Sequence, residues 1–118
     1  MVALAIDNLI EEIQITQLRP QLAEVRRQVQ RQNLPVRVSV RDRVVGVLIS
    51  VEILGSLVIS EDRTETMKIR DFRDELTSVW ERLDAGVLDA VVLTSHGNPA
   101  IAFVAPRFLD SETENEQN

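Results

Sequence analysis

The chain has 118 residues, a formal net charge of −6 and no cysteine, which excludes disulfides, zinc–thiolate sites and thiol catalysis. Its length favours one compact domain or two very small ones, and a hydrophobic content of 44% excludes global disorder. Residues 56–118 carry six basic against thirteen acidic side chains, so a nucleic acid could bind only at a local basic patch.

The chain begins with an apolar segment that lacks the features of a signal peptide or a membrane span. It has no basic region before its apolar residues, and no apolar run in the chain reaches the roughly 18 residues that a span needs. We therefore expect a cytoplasmic protein without a membrane span. Spacings of three and four residues predict a short leading helix that contains Ile6, Leu9, Ile10 and Ile13.

A longer helix is predicted next, followed by a hairpin. The apolar stripe of this helix is formed by Leu18, Leu22, Val25 and Val29. The pattern then changes to alternation over Val36–Val40, which indicates a half-exposed strand, and a turn at Arg41–Arg43 leads to a more buried strand over Val44–Ile49. A short helix is predicted over Val51–Leu57, and the acidic residues 60–66 read as a linker.

The same pattern starts again after the linker. Its helical stripe, Phe72, Leu76, Val79 and Leu83, repeats the spacing of the first stripe 54 residues later. Two predicted strands, Val91–Thr94 and Ala100–Val104, flank a turn at Ser95–Pro99 and match the first hairpin at an offset of 55. We therefore predict an internal duplication, with a first unit over 1–59, a linker over 60–66, a second unit over 67–109 and a disordered acidic tail over 110–118.

The second unit resembles the N-terminal domain of the Phd/YefM (prevent-host-death) antitoxin family. The matching stretches are DFR at Asp71–Arg73, AG at Ala85–Gly86 and LTSHGNPAIAFV at Leu93–Val104, together with the helical stripe. The first unit resembles the family through its pattern alone, with TQLR at Thr16–Arg19 in the place of RDFR at Arg70–Arg73. Family members are bacterial; they dimerise and bind operator DNA through this domain, and neutralise a toxin with a longer C-terminal segment.

The resemblance implies an α+β fold in which the two units form an intramolecular pseudo-dimer with a shared antiparallel sheet packed by helices. A unit of about 45 residues buries too little apolar surface to be stable alone, which also favours a common core. The chain would then be a monomer that carries both halves of the family dimer, or a dimer of that monomer.

The resemblance also implies DNA-contacting residues at the helix starts. A family arginine at the start of the helix corresponds to Arg73 and, in the first unit, to Arg19; Lys68 and Arg70 lie beside Arg73. Helix starts also suit phosphate through their free N–H groups. The second basic position of the family falls on Ser95 and Val40, so that half of the expected DNA-binding pattern is absent.

Three residues of the hairpins are secondary candidates for contact with DNA or a protein partner: Arg41, Arg43 and His96. His96 is the only histidine and lies at the predicted turn. A catalytic histidine would need a nucleophile and an orienting carboxylate, which the sequence does not supply. No phosphate-binding loop or metal-ligand spacing is present, and we expect neither catalysis, metal nor cofactor.

Two functions are consistent with these features. The first is an antitoxin-like, non-catalytic protein that binds operator DNA and a toxin or other protein. The alternative is an adaptor that keeps the fold, has lost DNA binding and contacts other proteins.

Overall fold

A computed structural model describes residues 10–109. In chain order the elements are β1 (Glu12–Gln14), α1 (Ile15–Gln32), β2 (Val36–Val40), β3 (Arg43–Ser50), α2 (Val51–Gly55), a 3-10 turn (Glu61–Arg63), β4 (Thr64–Lys68), α3 (Ile69–Asp74), α4 (Leu76–Asp84), β5 (Ala90–Ser95) and β6 (Asn98–Val104). The predicted α+β class is confirmed. Within residues 10–109, no helix is long and apolar enough to cross a membrane.

The six strands form one mixed sheet in the order β1-β2-β3-β6-β5-β4. The outer pairs, β1–β2 and β4–β5, are parallel, and the other pairs are antiparallel. The expected purely antiparallel sheet is therefore wrong. The reason is that α1 crosses over between β1 and β2, and α3 with α4 crosses over between β4 and β5, so that each later strand starts again from the same end of the sheet.

The two halves of the chain, residues 10–55 and 61–109, meet at the central pair of strands. Leu48 of β3 lies directly opposite Phe103 of β6, and these two positions are 55 residues apart, which is the offset of the two hairpins in the sequence. Val47 lies opposite Val104, and Ile49 lies opposite Ala102. Equivalent positions of the two halves thus face each other at the centre of one continuous sheet.

One face of the sheet, here called the helix face, is packed by α1, α3 and α4. The two predicted stripes are confirmed as buried, and their side chains join one apolar cluster with residues of β2, β3, β5 and β6. The rings of Phe72 and Phe103 meet edge to face, with centroids 5.3 Å apart. Both halves of the chain therefore contribute to one core.

The opposite face, here called the second face, carries a smaller apolar cluster. Its buried members are Val47, Ile49, Ala90, Ala102 and Val104. Ile53 and Leu54 of α2 pack against this cluster, as does Leu109 after β6. The short helix predicted after β3 is confirmed, although it ends at Gly55; Ser50 caps it by accepting a hydrogen bond from the Ile53 N–H at 3.1 Å.

The outer strands β1 and β4 are each attached to a long helix by one polar side chain. The Gln28 side chain donates to the carbonyl of Ile10 at 2.6 Å and accepts from its N–H at 2.8 Å. Arg82, 54 residues later, donates from Nη1 to Glu65 at 2.8 Å. The two halves thus use chemically different residues at matching positions for one structural task.

The strands β1 and β4 also correct two predictions. Ile13 belongs to a strand rather than to a leading helix, and Ile10 precedes that strand; Ile6 and Leu9 lie outside the described residues. The acidic stretch 60–66 contains the 3-10 turn and the first residues of β4, because Thr64–Thr66 pair in parallel with Ala90–Val92. The predicted disordered tail, 110–118, lies outside the described residues as well.

The second hairpin turns within two residues rather than five. His96 has φ 54° and Gly97 has φ 82°, both in the left-handed region that two-residue hairpin turns require. Asn98 and Pro99 already belong to β6, where Pro99 lies opposite Thr94 beside an irregularity in the strand pairing. The missing N–H of Pro99 is accommodated at this irregularity, which is where prolines occur inside sheets.

Candidate functional site

The second half of the chain presents three exposed cations at the start of α3. Lys68 is the last residue of β4 and the N-cap of α3, with an extended backbone and no side-chain capping bond. Arg70 and Arg73 are exposed one and two turns into the segment that follows. The placement follows from the parallel β4–α3 connection, because the chain leaves the sheet at Lys68 and enters the helix at once.

Arg19 of α1 comes into contact with this group. Its Nε donates a hydrogen bond to the backbone carbonyl of Arg73 at 2.8 Å, although the two residues are 54 positions apart. The structure therefore brings together the two arginines that the sequence resemblance singled out independently in each half. We call Arg19, Lys68, Arg70 and Arg73 the helix-start cluster.

Acidic side chains lie within the same segment. Asp71 and Asp74 belong to α3, and Glu75 joins α3 to α4. The helix-start cluster is thus a set of separate cationic groups among carboxylates, and not a broad positive field. Binding of an anion here would depend on individual guanidinium contacts more than on long-range attraction.

The three secondary candidates lie at the hairpin turns. Arg41 has φ 51° in the exposed turn of the first hairpin, and His96 occupies the exposed turn of the second. Arg43 begins β3. No hydrogen bond or ion pair among residues 10–109 joins any of these residues to Arg19 or Arg73.

Arg43 is instead engaged by the other half of the chain. Its Nη1 and Nη2 donate to the two carboxylate oxygens of Asp84, at the end of α4, over 2.6 and 3.1 Å. The positions that match Asp84 and Arg43 in the opposite halves are Gln30 and Asn98, which cannot form an ion pair. The bridge is therefore made once, and sequence analysis missed it because its partners are 41 residues apart.

The hydrogen bond from Arg43 lowers the pKa of the Asp84 carboxyl. Since the pKa is lower in the folded than in the unfolded state, the bridge stabilises the fold at neutral pH, and this stabilisation is lost as the pH falls through the folded-state pKa. Asp84→Asn should therefore lower the Tm at pH 7, and the difference from the parent should shrink below about pH 4. Thermal melts against pH would measure it. Glu81→Gln, an exposed change on the same helix, is the control and should leave the Tm nearly unchanged.

Asp89 is a buried carboxylate with a structural environment. Its side chain is 8% exposed and pairs with Arg107, and it lies 3.8 Å from Arg63. Its N–H donates to the carbonyl of Arg63 at 2.8 Å, and its own carbonyl accepts from the N–H of Ala105 at 3.0 Å. These bonds join the 3-10 turn, β5 and the end of β6, and they leave Asp89 no free face for chemistry.

The described part of the chain offers no metal site. Among residues 10–109, no group of three or more His, Cys, Asp or Glu side chains is placed to hold an ion. Comparison of the chain with protein-family models, with curated proteins and with solved structures finds no match. The functional assignment therefore depends on the geometry of the helix-start cluster and on the sequence resemblance.

Proposed function

We propose that the chain is a non-catalytic, Phd/YefM-like regulator that binds DNA through the helix-start cluster. In this proposal the two halves act as an intramolecular pseudo-dimer, and each half contributes one helix-start arginine to the same surface. The observation that carries the proposal is the contact between Arg19 and Arg73, which unites the two positions that correspond to the family's DNA-contacting arginine.

The sheet supports this proposal independently of the arginines. The same order of strand, helix and hairpin occurs in both halves, and equivalent positions face each other across β3 and β6. A protein with two related halves about a central axis suits a roughly palindromic DNA site, in which each half contacts one half-site.

The test is binding of the full chain to DNA from its own promoter region, measured by fluorescence anisotropy at several salt concentrations. Arg19→Ala and Arg73→Ala should each weaken binding, and each lost phosphate contact should reduce the log–log salt slope by roughly 0.9. Arg27→Ala is the matched control, since Arg27 is exposed on α1 outside the cluster. Equal loss in the control would mean that general charge, and not the cluster, binds DNA.

Absence of binding at low salt would reject the DNA proposal for the chain. The measurement should be repeated with a chain that ends at Leu109, because the acidic tail would oppose DNA binding at long range at low salt. If neither chain binds, the second candidate function, a protein-interaction adaptor, takes its place.

One observation favours the adaptor. Val58 is 95% exposed and Val51 is 40% exposed, and both lie in or just after α2 at the border of the second face. Arg43, a candidate for DNA contact, is already paired with Asp84. A protein partner that covers the two valines would be weakened by Val58→Asp, which leaves the helix-start cluster intact.

A further inference from the structure

The last nine residues of the chain have a regular acidic pattern. Carboxylates occupy every second position: Asp110, Glu112, Glu114 and Glu116. In an extended backbone successive side chains point to opposite sides, so these four carboxylates would form one row. On a helix the same four residues would be distributed around the axis. The pattern is therefore suited to an extended segment that meets cations along one side.

The fold determines where this segment leaves the sheet. β6 is antiparallel to β3, with Val104 opposite Val47, so the end of β6 points towards the start of β3 at Arg43. Leu109, the last described residue, packs on the apolar cluster of the second face, as does Val44. Residue 110 therefore follows from the second face, on the side of the β2–β3 hairpin.

Two exposed arginines of this hairpin are available there. Val36 and Val38 are buried in the core on the helix face, so Arg37 between them is on the second face. Arg41 is exposed at the turn. Neither arginine makes an ion pair with any of the residues 10–109, whereas Arg43 beside them is occupied by Asp84.

The tail is long enough to reach both arginines. Residues 110–116 span at most about 20–22 Å when extended. Only β3 separates β6 from β2, and two strand spacings amount to about 10 Å. The tail can thus cross the second face from the end of β6 to β2.

We propose that residues 110–118 bind in extended form across the second face and pair their carboxylates with Arg37 and Arg41. The β2–β3 hairpin is then a docking surface for an alternating acidic peptide, and its occupant is the chain's own tail. The contact does not involve the helix-start cluster, so it holds whether or not the protein binds DNA. Other acidic peptides would have to displace the tail before they could use this surface.

The experiment places a nitroxide spin label at the end of the tail. Because the chain contains no cysteine, Asn118→Cys gives a single labelling site in the full-length protein. Paramagnetic broadening of the backbone amides of Arg37 and Arg41 is expected at low salt. It should largely disappear at 1 M salt, where the Debye length is only about 3 Å.

Charge changes then test the pairing. Arg37→Glu combined with Arg41→Asp should abolish the broadening, as should neutralisation of the tail by Asp110→Asn with Glu112→Gln, Glu114→Gln and Glu116→Gln. Aspartate is used at position 41 because it tolerates the left-handed backbone there. Arg27→Glu, an exposed change on α1 at the helix face, is the control and should retain the broadening.

Unchanged amide spectra in the rest of the sheet would show that each variant is folded. The proposal is overturned if the neutral tail broadens Arg37 and Arg41 as strongly as the acidic tail. It is also overturned if the broadening centres on Arg19 and Arg70 instead, which would place the tail on the helix-start cluster.

Discussion

Phe103→Ala is expected to lower the free energy of unfolding by about 3–5 kcal/mol, as truncations of buried phenylalanine do. Phe103 is fully buried at the centre of the sheet, opposite Leu48 and in edge contact with Phe72. Its removal would leave a cavity where the two halves of the chain meet. Denaturant melts would measure the loss, and an unchanged m-value would show that the variant still unfolds as one unit.

The same ring explains why position 46 is glycine. A Cβ at Gly46 would lie 2.3 Å from Cζ and 2.4 Å from Cε1 of Phe103, closer than non-bonded atoms can approach. Gly46→Ala should therefore cost about 1–3 kcal/mol as an overpacked core. In the Phe103→Ala background the methyl group has room, and the same change should be neutral or stabilising. Additive losses in this double-mutant cycle would contradict the close packing of Gly46 and the ring.

Leu76→Ala should be almost as damaging, at about 2–5 kcal/mol. The Leu76 side chain is 2% exposed at the start of α4 and belongs to the core on the helix face. The matched control is His96→Asn at the hairpin turn, which should cost little because asparagine readily adopts the positive φ found there. Thermal or denaturant melts would compare the two. A large loss for His96→Asn would mean that the imidazole makes a contact on which the fold depends.

The sequence predicted the elements whose burial pattern is regular. The stripes of α1 and of α3 with α4 were recognised because four apolar side chains in each recur at helical spacing, and all of them are buried. The two hairpins were recognised from alternation and from turn residues. The repeat of these features in the two halves led to the expectation of one shared sheet.

The outer strands could not be predicted in this way. β1 has only three residues, and β4 reads Thr-Glu-Thr-Met-Lys, so neither shows the apolar alternation of a half-buried strand. Their pairing depends on the crossover helices and on side chains such as Gln28 and Arg82, which become recognisable only when the helices are in place.

The candidate site was predicted in part. The resemblance identified Arg19 and Arg73 separately, but their contact depends on how α1 and α3 approach each other over the sheet. The ion pair of Arg43 with Asp84 could not be foreseen, because nothing in either local sequence marks the other as its partner. Gly46 carried a weak signal, since a glycine inside a strand often marks a close approach of other atoms.

The junction of β3 with β6 has a consequence for the behaviour of the protein on dilution. Two separate chains joined along such strands would come apart as their concentration fell below the dissociation constant of the pair. Here residues 56–60 connect the halves, and a short connection holds its ends at an effective concentration in the millimolar range. The assembled sheet should therefore persist when only a few copies are present in a cell. Covalent connection also releases each half from the self-complementarity that a symmetric homodimer imposes, so that a contact such as Arg43 with Asp84 need occur only once.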